Sequence, residues 1–210
     1  MEQFAQSCIV RKMYYYIKKT DAEAQEALMV VFYSNPLLTI EILEDSFIES
    51  EYNFDGLSSN PNLTHEFITK HSDKQWNFQK LSSNPCLTLE MLDIDFIEYD
   101  YSLVSSNPSL TIEMYLKNPN VFNHQNLMTN PAMNLEFLKV IDIDKIDFNI
   151  LSSNQNLTYD IVEYFSNAVW NMEQVSQHMK LKLDLINTFK NTLIFDYLIL
   201  NKTFIGEMLE

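Results

Sequence analysis

The chain has 210 residues, 46% of them hydrophobic, with 14 Phe and 11 Tyr but only 2 Gly. Such a composition supplies a core and is not that of a disordered chain, while the scarcity of Gly excludes the Gly-rich phosphate loops that need positive φ. With 14 basic residues against 29 acidic ones the net charge is −15, which disfavours nucleic-acid binding, because that affinity comes from Lys and Arg releasing counterions.

In chain order, Gln3 to Lys18 reads as a helix with Cys8, Ile9 and Met13 on its inner face. Its basic residues Arg11, Lys12, Lys18 and Lys19 read as a solvated face rather than a nucleic-acid patch. Thr20 with Glu23 forms a capping box ahead of AEAQEALMVVFY, a second helix ending near Tyr33. Residues 1–33 lack the pattern that follows and read as an N-terminal helical cap.

From Ser34 onward one motif recurs. SNPLLT, SNPNLT, SNPCLT, SNPSLT, TNPAMN and SNQNLT carry central asparagines Asn35, Asn60, Asn84, Asn107, Asn130 and Asn154, spaced 25, 24, 23, 23 and 24 residues apart. Two fainter copies place His178 and Asn201 in the same slot. Three residues before the Asn stand Phe32, Leu57, Leu81, Val104, Leu127, Leu151 and Val175; three after it stand Leu38, Leu63, Leu87, Leu110, Met133 and Leu157. The sixth residue after it is acidic in every copy, as in Glu41, Glu66 and Glu90.

Each copy carries its own punctuation. Thr39, Thr64, Thr88, Thr111 and Thr158 are natural N-caps, and the acid two residues later suits the helix dipole. Farther on, Asn or Asp between apolar or aromatic residues, as in Tyr52-Asn53-Phe54, Trp76-Asn77-Phe78, Tyr99-Asp100-Tyr101 and Ile146-Asp147-Phe148, caps a second helix that the Asn-Pro step stops. Two helices of about six to nine residues per copy are too short to stand alone in water and must bury their apolar faces against neighbouring copies. The expected fold is therefore all-α: a solenoid of ~24-residue units, each of two short α or 3-10 helices. Residues 34–210 form the solenoid, its C-terminal copies degenerate and capping, and the whole is one structural domain. The aligned asparagines are expected to form a ladder that ties down each turn and its neighbour, and Trp76 is expected in the core.

Cys8 and Cys86 have no CxxC partner, and His65, His71, His124 and His178 supply no metal spacing, so both cysteines read as buried free thiols of a reducing compartment. The N-terminus does not read as a signal peptide, and no apolar run reaches the ~20 residues of a membrane span. A soluble, intracellular chain with no membrane partner is expected.

The unit His71–Leu92, HSDKQWNFQKLSSNPCLTLEML, resembles the repeats of tandem-repeat proteins encoded by giant DNA viruses of the mimivirus type, with units like WNW-x-x-LSxNPxIT-x-E. Its NPxLTxExL pattern is also similar to the leucine-rich repeat variant, whose units pair an α-helix with a 3-10 helix. The resemblance covers residues ~32–165, and abundant Asn, Ile, Phe and Tyr fit an AT-rich genome. It implies a viral protein in the host cytoplasm or the virion, and it implies no activity.

No GxSxG, HExxH or Gly-Lys-Ser/Thr motif occurs, so no catalytic, cofactor or metal residue is expected. The nearest approach to a site is acidic: Asp93, Asp95 and Glu98 in DIDFIE, and Asp142, Asp144 and Asp147 in DIDKID. A calcium loop would need Gly at the bend, which neither stretch has. The six acids read as a solvated ridge and as the candidate surface for a basic protein partner. The expected function is a non-catalytic protein–protein interaction scaffold. The alternative is a structural virion or assembly component, with an enzyme or nucleic-acid binder as the remote one.

Overall fold

The computed structural model describes the backbone of residues 2–178 and the side chains of residues 6–177. The motif slot at Asn201 and the side chain of His178 lie outside the described residues. Regular structure among the described residues is helical, without a strand, and none of these helices is long and apolar enough to cross a membrane. The chain divides into two compact units, Met1–Ser109 and Leu110–Glu210.

The first unit holds α1 (Glu2–Ile17), α2 (Ala22–Tyr33), α3 (Ile40–Ser46), α4 (Phe54–Leu57), α5 (His65–Lys70), α6 (Phe78–Ser83) and α7 (Tyr101–Ser106). Single 3-10 turns lie at Glu49–Glu51 and Met91–Asp93. The described part of the second unit holds α8 (Ile112–Lys117), α9 (His124–Thr129), α10 (Leu135–Val140), α11 (Phe148–Leu151), α12 (Tyr159–Tyr164) and α13 (Met172–His178), with a 3-10 turn at Ile143–Lys145.

Helices within the motif region are shorter than their sequence suggests, since α4 and α11 have only 4 residues. Side-chain caps compensate in part, because the first four N–H groups of any helix lack an internal partner. The hydroxyls of Thr39, Thr64 and Thr111 accept from the N–H of Ile42, Phe67 and Met114 at 3.2–3.3 Å. Asn134 does the same for α10, accepting from Phe137 at 2.9 Å. Thr158 occupies the N-cap of α12 without a side-chain bond, contrary to its expected role. Thr88 caps Met91 at 3.3 Å, yet the chain makes only a 3-10 turn there. Asp93 and Asp95 are weak helix formers, and Ile94 and Ile97, each 7% exposed, turn inward instead.

The second helices start at Asn53, Asn77, Asp100, Asn123, Asp147 and Asn171, each of whose side chains accepts from a backbone N–H two or three residues on. Three of them, α6, α7 and α9, end at the motif asparagine, whereas α4 and α11 stop at Leu57 and Leu151 with Ser58 and Ser152 as C-caps. Asn84, Asn107 and Asn130 have φ near −70° and ψ of 125–132°, the extended geometry that a following Pro imposes.

The core is built from the recurring apolar slots. Phe32, Leu57, Leu81, Val104, Leu127, Leu151 and Val175 before the Asn are buried, as are Leu38, Leu63, Leu87, Leu110, Met133 and Leu157 after it. The pair behind the acid is buried as well in five copies, as in Phe67 with Ile68 and Phe137 with Leu138, whereas behind Glu90 Met91 is buried and Leu92 only partly so. Gly56 in α4 serves a close approach to α2: a Cβ there would lie 2.7 Å from the Val30 carbonyl oxygen and 2.8 Å from Tyr33 Cβ.

The N-terminal helices depart from expectation in three respects. Asp21, not Thr20, caps α2, its Oδ1 accepting from Ala24 at 3.0 Å, while Thr20 Oγ donates to the Ile17 carbonyl at 2.7 Å and closes α1. The inner face of α1 is carried by Val10 and Tyr14, the latter 4.8 Å from Phe47 and 5.7 Å from Phe32 between ring centroids. Cys8, Ile9 and Met13 are exposed. Helical spacing defines a face but not which face a neighbour covers. Cys86 is half-buried rather than buried, and burial raises its thiol to about 11, so it stays protonated.

Candidate functional site

The six acids proposed as a surface are all exposed. Asp93 ends a 3-10 turn, and Asp95 and Glu98 lie between the buried Ile94, Ile97 and the half-buried Tyr99. In the second unit, Asp142 Oδ1 accepts from the Asp144 N–H at 3.3 Å, and Asp147 Oδ1 caps α11 through Ile150 at 3.0 Å. Lys145, between them, donates to Asn120 Oδ1 at 3.1 Å. Among the described residues no group of His, Cys, Asp or Glu is placed to hold a metal ion.

The motif asparagines have a different environment. Asn60, Asn84, Asn107, Asn130 and Asn154 are at most 4% exposed. Each Oδ1 accepts from the backbone N–H two residues on, at Asn62, Cys86, Ser109, Ala132 and Asn156, at 2.7–2.9 Å. That bond locks the turn after the helix. The Nδ2 of Asn60, Asn84, Asn107 and Asn154 points the other way along the chain. Asn60 Nδ2 donates to the carbonyls of Tyr33 and Leu38 at 2.8 and 2.9 Å. Asn84 donates to Ser58 and Asn60 at 2.9 and 3.0 Å, and Asn107 to Ser82 and Asn84 at 3.0 and 2.9 Å. In the second unit Asn154 donates to Met128 and Asn130 at 2.8 and 3.1 Å. One amide thus satisfies its own turn and two carbonyls of the turn one motif earlier. Burying an amide is costly unless it is paired, so each rung fixes the spacing of consecutive turns. Asn35, at the first copy, is only half-buried; its Oδ1 accepts from Leu37 at 2.9 Å.

A second rung was not read from the sequence. Ser58, Ser82, Ser105, Ser152 and Ser176, two residues before the Asn slot, are fully buried. Ser58 and Ser82 donate to the carbonyls of Phe54 and Phe78 at 2.7 Å, and Ser152 and Ser176 to those of Phe148 and Met172 at 2.6 Å. Ser58, Ser82 and Ser152 also accept from the N–H of Asn77, Asp100 and Asn171, at 2.9–3.0 Å. These acceptors hold the N-cap residue of the following copy. The recurrence of Ser two places before Asn was the available signal. A third, outer contact joins the turns: Asn62 and Asn156 Nδ2 donate to the carbonyls of Pro36 and Pro131 at 2.8 Å.

Trp76 is 7% exposed, and its Nε1 donates to the His71 carbonyl at 3.0 Å while its ring lies 5.1 Å from Phe54. Trp170 repeats the arrangement, with Nε1 to Phe165 O at 3.1 Å and Phe148 at 5.0 Å. Both indoles brace a bend and fill the space beneath it. His71 is 3% exposed, and its Nδ1 lies 2.8 Å from the Phe67 carbonyl, so it is part of the same bend. Of the four basic residues near the N-terminus, Arg11 is paired with Asp45 at 3.2 Å, while Lys18 and Lys19 lie over the rings of Tyr14 and Tyr15.

Electrostatic shifts follow the caps. Glu41, Glu66 and Glu90 sit below the usual carboxylate value, each held there first by its own backbone N–H and then by the hydroxyl of Thr39, Thr64 or Thr88. The Lys80 ammonium, 2.6 Å away, lowers Asp55, with a further bond from Asn77. Burial, then its bond to Glu51, pushes the Tyr14 hydroxyl up to about 12. The charged groups thus act as caps and ties between consecutive segments. Comparison with protein families, with curated proteins and with solved structures found no match to this chain.

Proposed function

We propose that the motif copies stack as a solenoid and that the chain is a non-catalytic scaffold whose exposed acidic side chains engage a basic protein. The observation that carries this reading is the division of labour among polar residues. The Asn and Ser that recur with the motif, Asn84 and Ser82 among them, are buried and bonded to backbone one copy away, while the recurring acids, such as Glu66 and Glu90, are exposed but tied to their own backbone and to the Thr hydroxyl. The acids that differ between copies, Asp93, Asp95, Glu98, Asp142, Asp144 and Asp147, face solvent. A net charge of −15 favours a positively charged partner. The resemblance of the motif to giant-virus repeats supports placing that partner in an infected cell or a virus particle.

The test is affinity capture from native or infected cells with the full chain, beside a variant in which the five aspartates become Asn and Glu98 becomes Gln. Asn retains the N-cap at positions 142 and 147, so the variant keeps its fold. A basic protein held by the natural chain and lost from the variant is the expected result. No protein held by the natural chain, or the same protein held equally by both, would refute the reading.

A further inference from the structure

Helices α1 and α2 turn an apolar face to solvent. Ile9, Met13 and Tyr16 follow the spacing i, i+4, i+7 along α1 and are 55%, 39% and 70% exposed. On α2, Leu28 and Val31 are 41% and 63% exposed, and Leu37 beyond it is 55% exposed. Between the two helices runs an apolar groove floored by Val10 and Phe32. A contiguous apolar face of this kind on exposed helices marks a contact surface.

The margins of this face carry opposite charges. Lys12 lies three residues after Ile9 and four before Tyr16, on the margin of α1 away from α2. Glu23, Ala27 and Val31 form one row at four-residue spacing, with Glu23 on the α2 margin. Both Lys12 and Glu23 are exposed, and among the described residues neither has an ion-pair partner, whereas the adjacent Arg11 is bound to Asp45. A two-fold axis through the groove would lay the α1 margin of one copy along the α2 margin of the other. The face is then self-complementary: apolar centre on apolar centre, Lys12 opposite Glu23 at both ends.

We propose that this α1–α2 face is the interface of a homodimer, formed by two copies packed about such an axis. The occupant is a second copy rather than an anionic lipid surface, because Glu23 on one margin would repel lipid headgroups. The proposal goes beyond the scaffold reading, since none of the six candidate acids lies on these helices. The 12 residues of α2 span about 18 Å, and two helices side by side about 20 Å. A footprint near 360 Å² per copy places the contact among small, weak interfaces, so a reversible, concentration-dependent dimer is expected.

Sedimentation of the full chain over a range on the order of 1 to 200 µM tests this. The expected result is a monomer–dimer equilibrium that is lost in L28E/V31E. Both side chains are exposed, so helix content by circular dichroism should be unchanged. A charge exchange supplies an independent readout: K12E alone and E23K alone each weaken the dimer about fivefold or more, and K12E/E23K together restore it. The proposal is overturned if the natural chain stays monomeric throughout, if L28E/V31E remains dimeric, or if the exchanged pair is no better than either single change. Binding of a monomeric natural chain to anionic vesicles would overturn it in favour of a lipid contact.

Discussion

Replacing Asn84 by alanine removes three hydrogen bonds at one buried position: two donated by Nδ2 to the carbonyls of Ser58 and Asn60, and one accepted by Oδ1 from the Cys86 N–H. At 3% exposure water does not replace the amide. With about 1 kcal/mol net per bond, the loss is about 3 kcal/mol. For a urea slope of about 2 kcal/mol/M the midpoint should fall by about 1.5 M. Trp76 and Trp170 lie in different units, so W170F provides a background in which the remaining indole reports on the first unit. Asn120→Ala, at an exposed site, should shift stability by no more than about 0.5 kcal/mol. Asn84→Asp separates donor loss from acceptor loss, because the carboxyl keeps the Cys86 bond but faces two carbonyls. Burial and those carbonyls favour its protonated form, so its folded value is raised. Stability is then retained below the ordinary aspartate value and lost as pH rises through the raised one. A cost for Asn84→Ala below about 1 kcal/mol, comparable to Asn120→Ala, would refute the assignment of the amide as an inter-turn clamp.

Three further outcomes follow from the same bonding. Ser82→Ala deletes a buried hydroxyl that bridges Phe78 O and Asp100 N–H and should cost about 1–2 kcal/mol in urea unfolding, whereas the exposed neighbour Ser83→Ala should cost about 0.5 kcal/mol or less. Gly56→Ala improves helix propensity by about 1 kcal/mol, yet its methyl would meet Val30 O at 2.7 Å; a net loss of melting temperature is expected, and a gain would show that α2 yields freely. Glu41, Glu66 and Glu90 have folded values below 4.5, so the stability they contribute is present above that value and lost as pH falls through the lowered ones. Urea midpoints measured on either side of pH 4 should therefore drop on the acid side, and less so in Thr64→Ala, where part of the lowering of Glu66 is removed.

The apolar slots and cap residues were readable because their spacing repeats and their chemistry is local. Leu63, Leu87 and Leu157 stand in the core, and Asn53, Asn77 and Asp147 start helices, for reasons contained within a few residues. What was not legible depends on partners far along the chain. Ser58 looks like an ordinary surface serine until Asn77, 19 residues on, brings it an N–H. The 3-10 turn at Met91–Asp93 replaces the α-helix that Thr88 and Glu90 announce because Ile94 and Ile97 are drawn inward. Thr20 and Asp21 compete for one helix start, and only the position of the Ile17 carbonyl decides between them. On α1 the spacing of Ile9 and Met13 describes an apolar stripe correctly, but the neighbours α2 and α3 cover Val10 and Tyr14 instead. Among the acidic candidates, exposure and the capping by Asp147 were evident from the surrounding sequence, whereas the capping by Asp142 required the backbone.

Side-chain amide hydrogen exchange measured by NMR on a nitrogen-15-labelled chain tests the inter-turn clamp most directly. The Nδ2 protons of Asn60, Asn84, Asn107 and Asn154 should exchange slowly, because each donates to carbonyls one motif earlier. Those of the half-buried Asn35 and the exposed Asn120 should exchange at the rate of a free amide. Exchange of the four buried amides as fast as Asn120 would contradict the role assigned to them, and with it the division between structural and surface polar residues on which the scaffold reading rests.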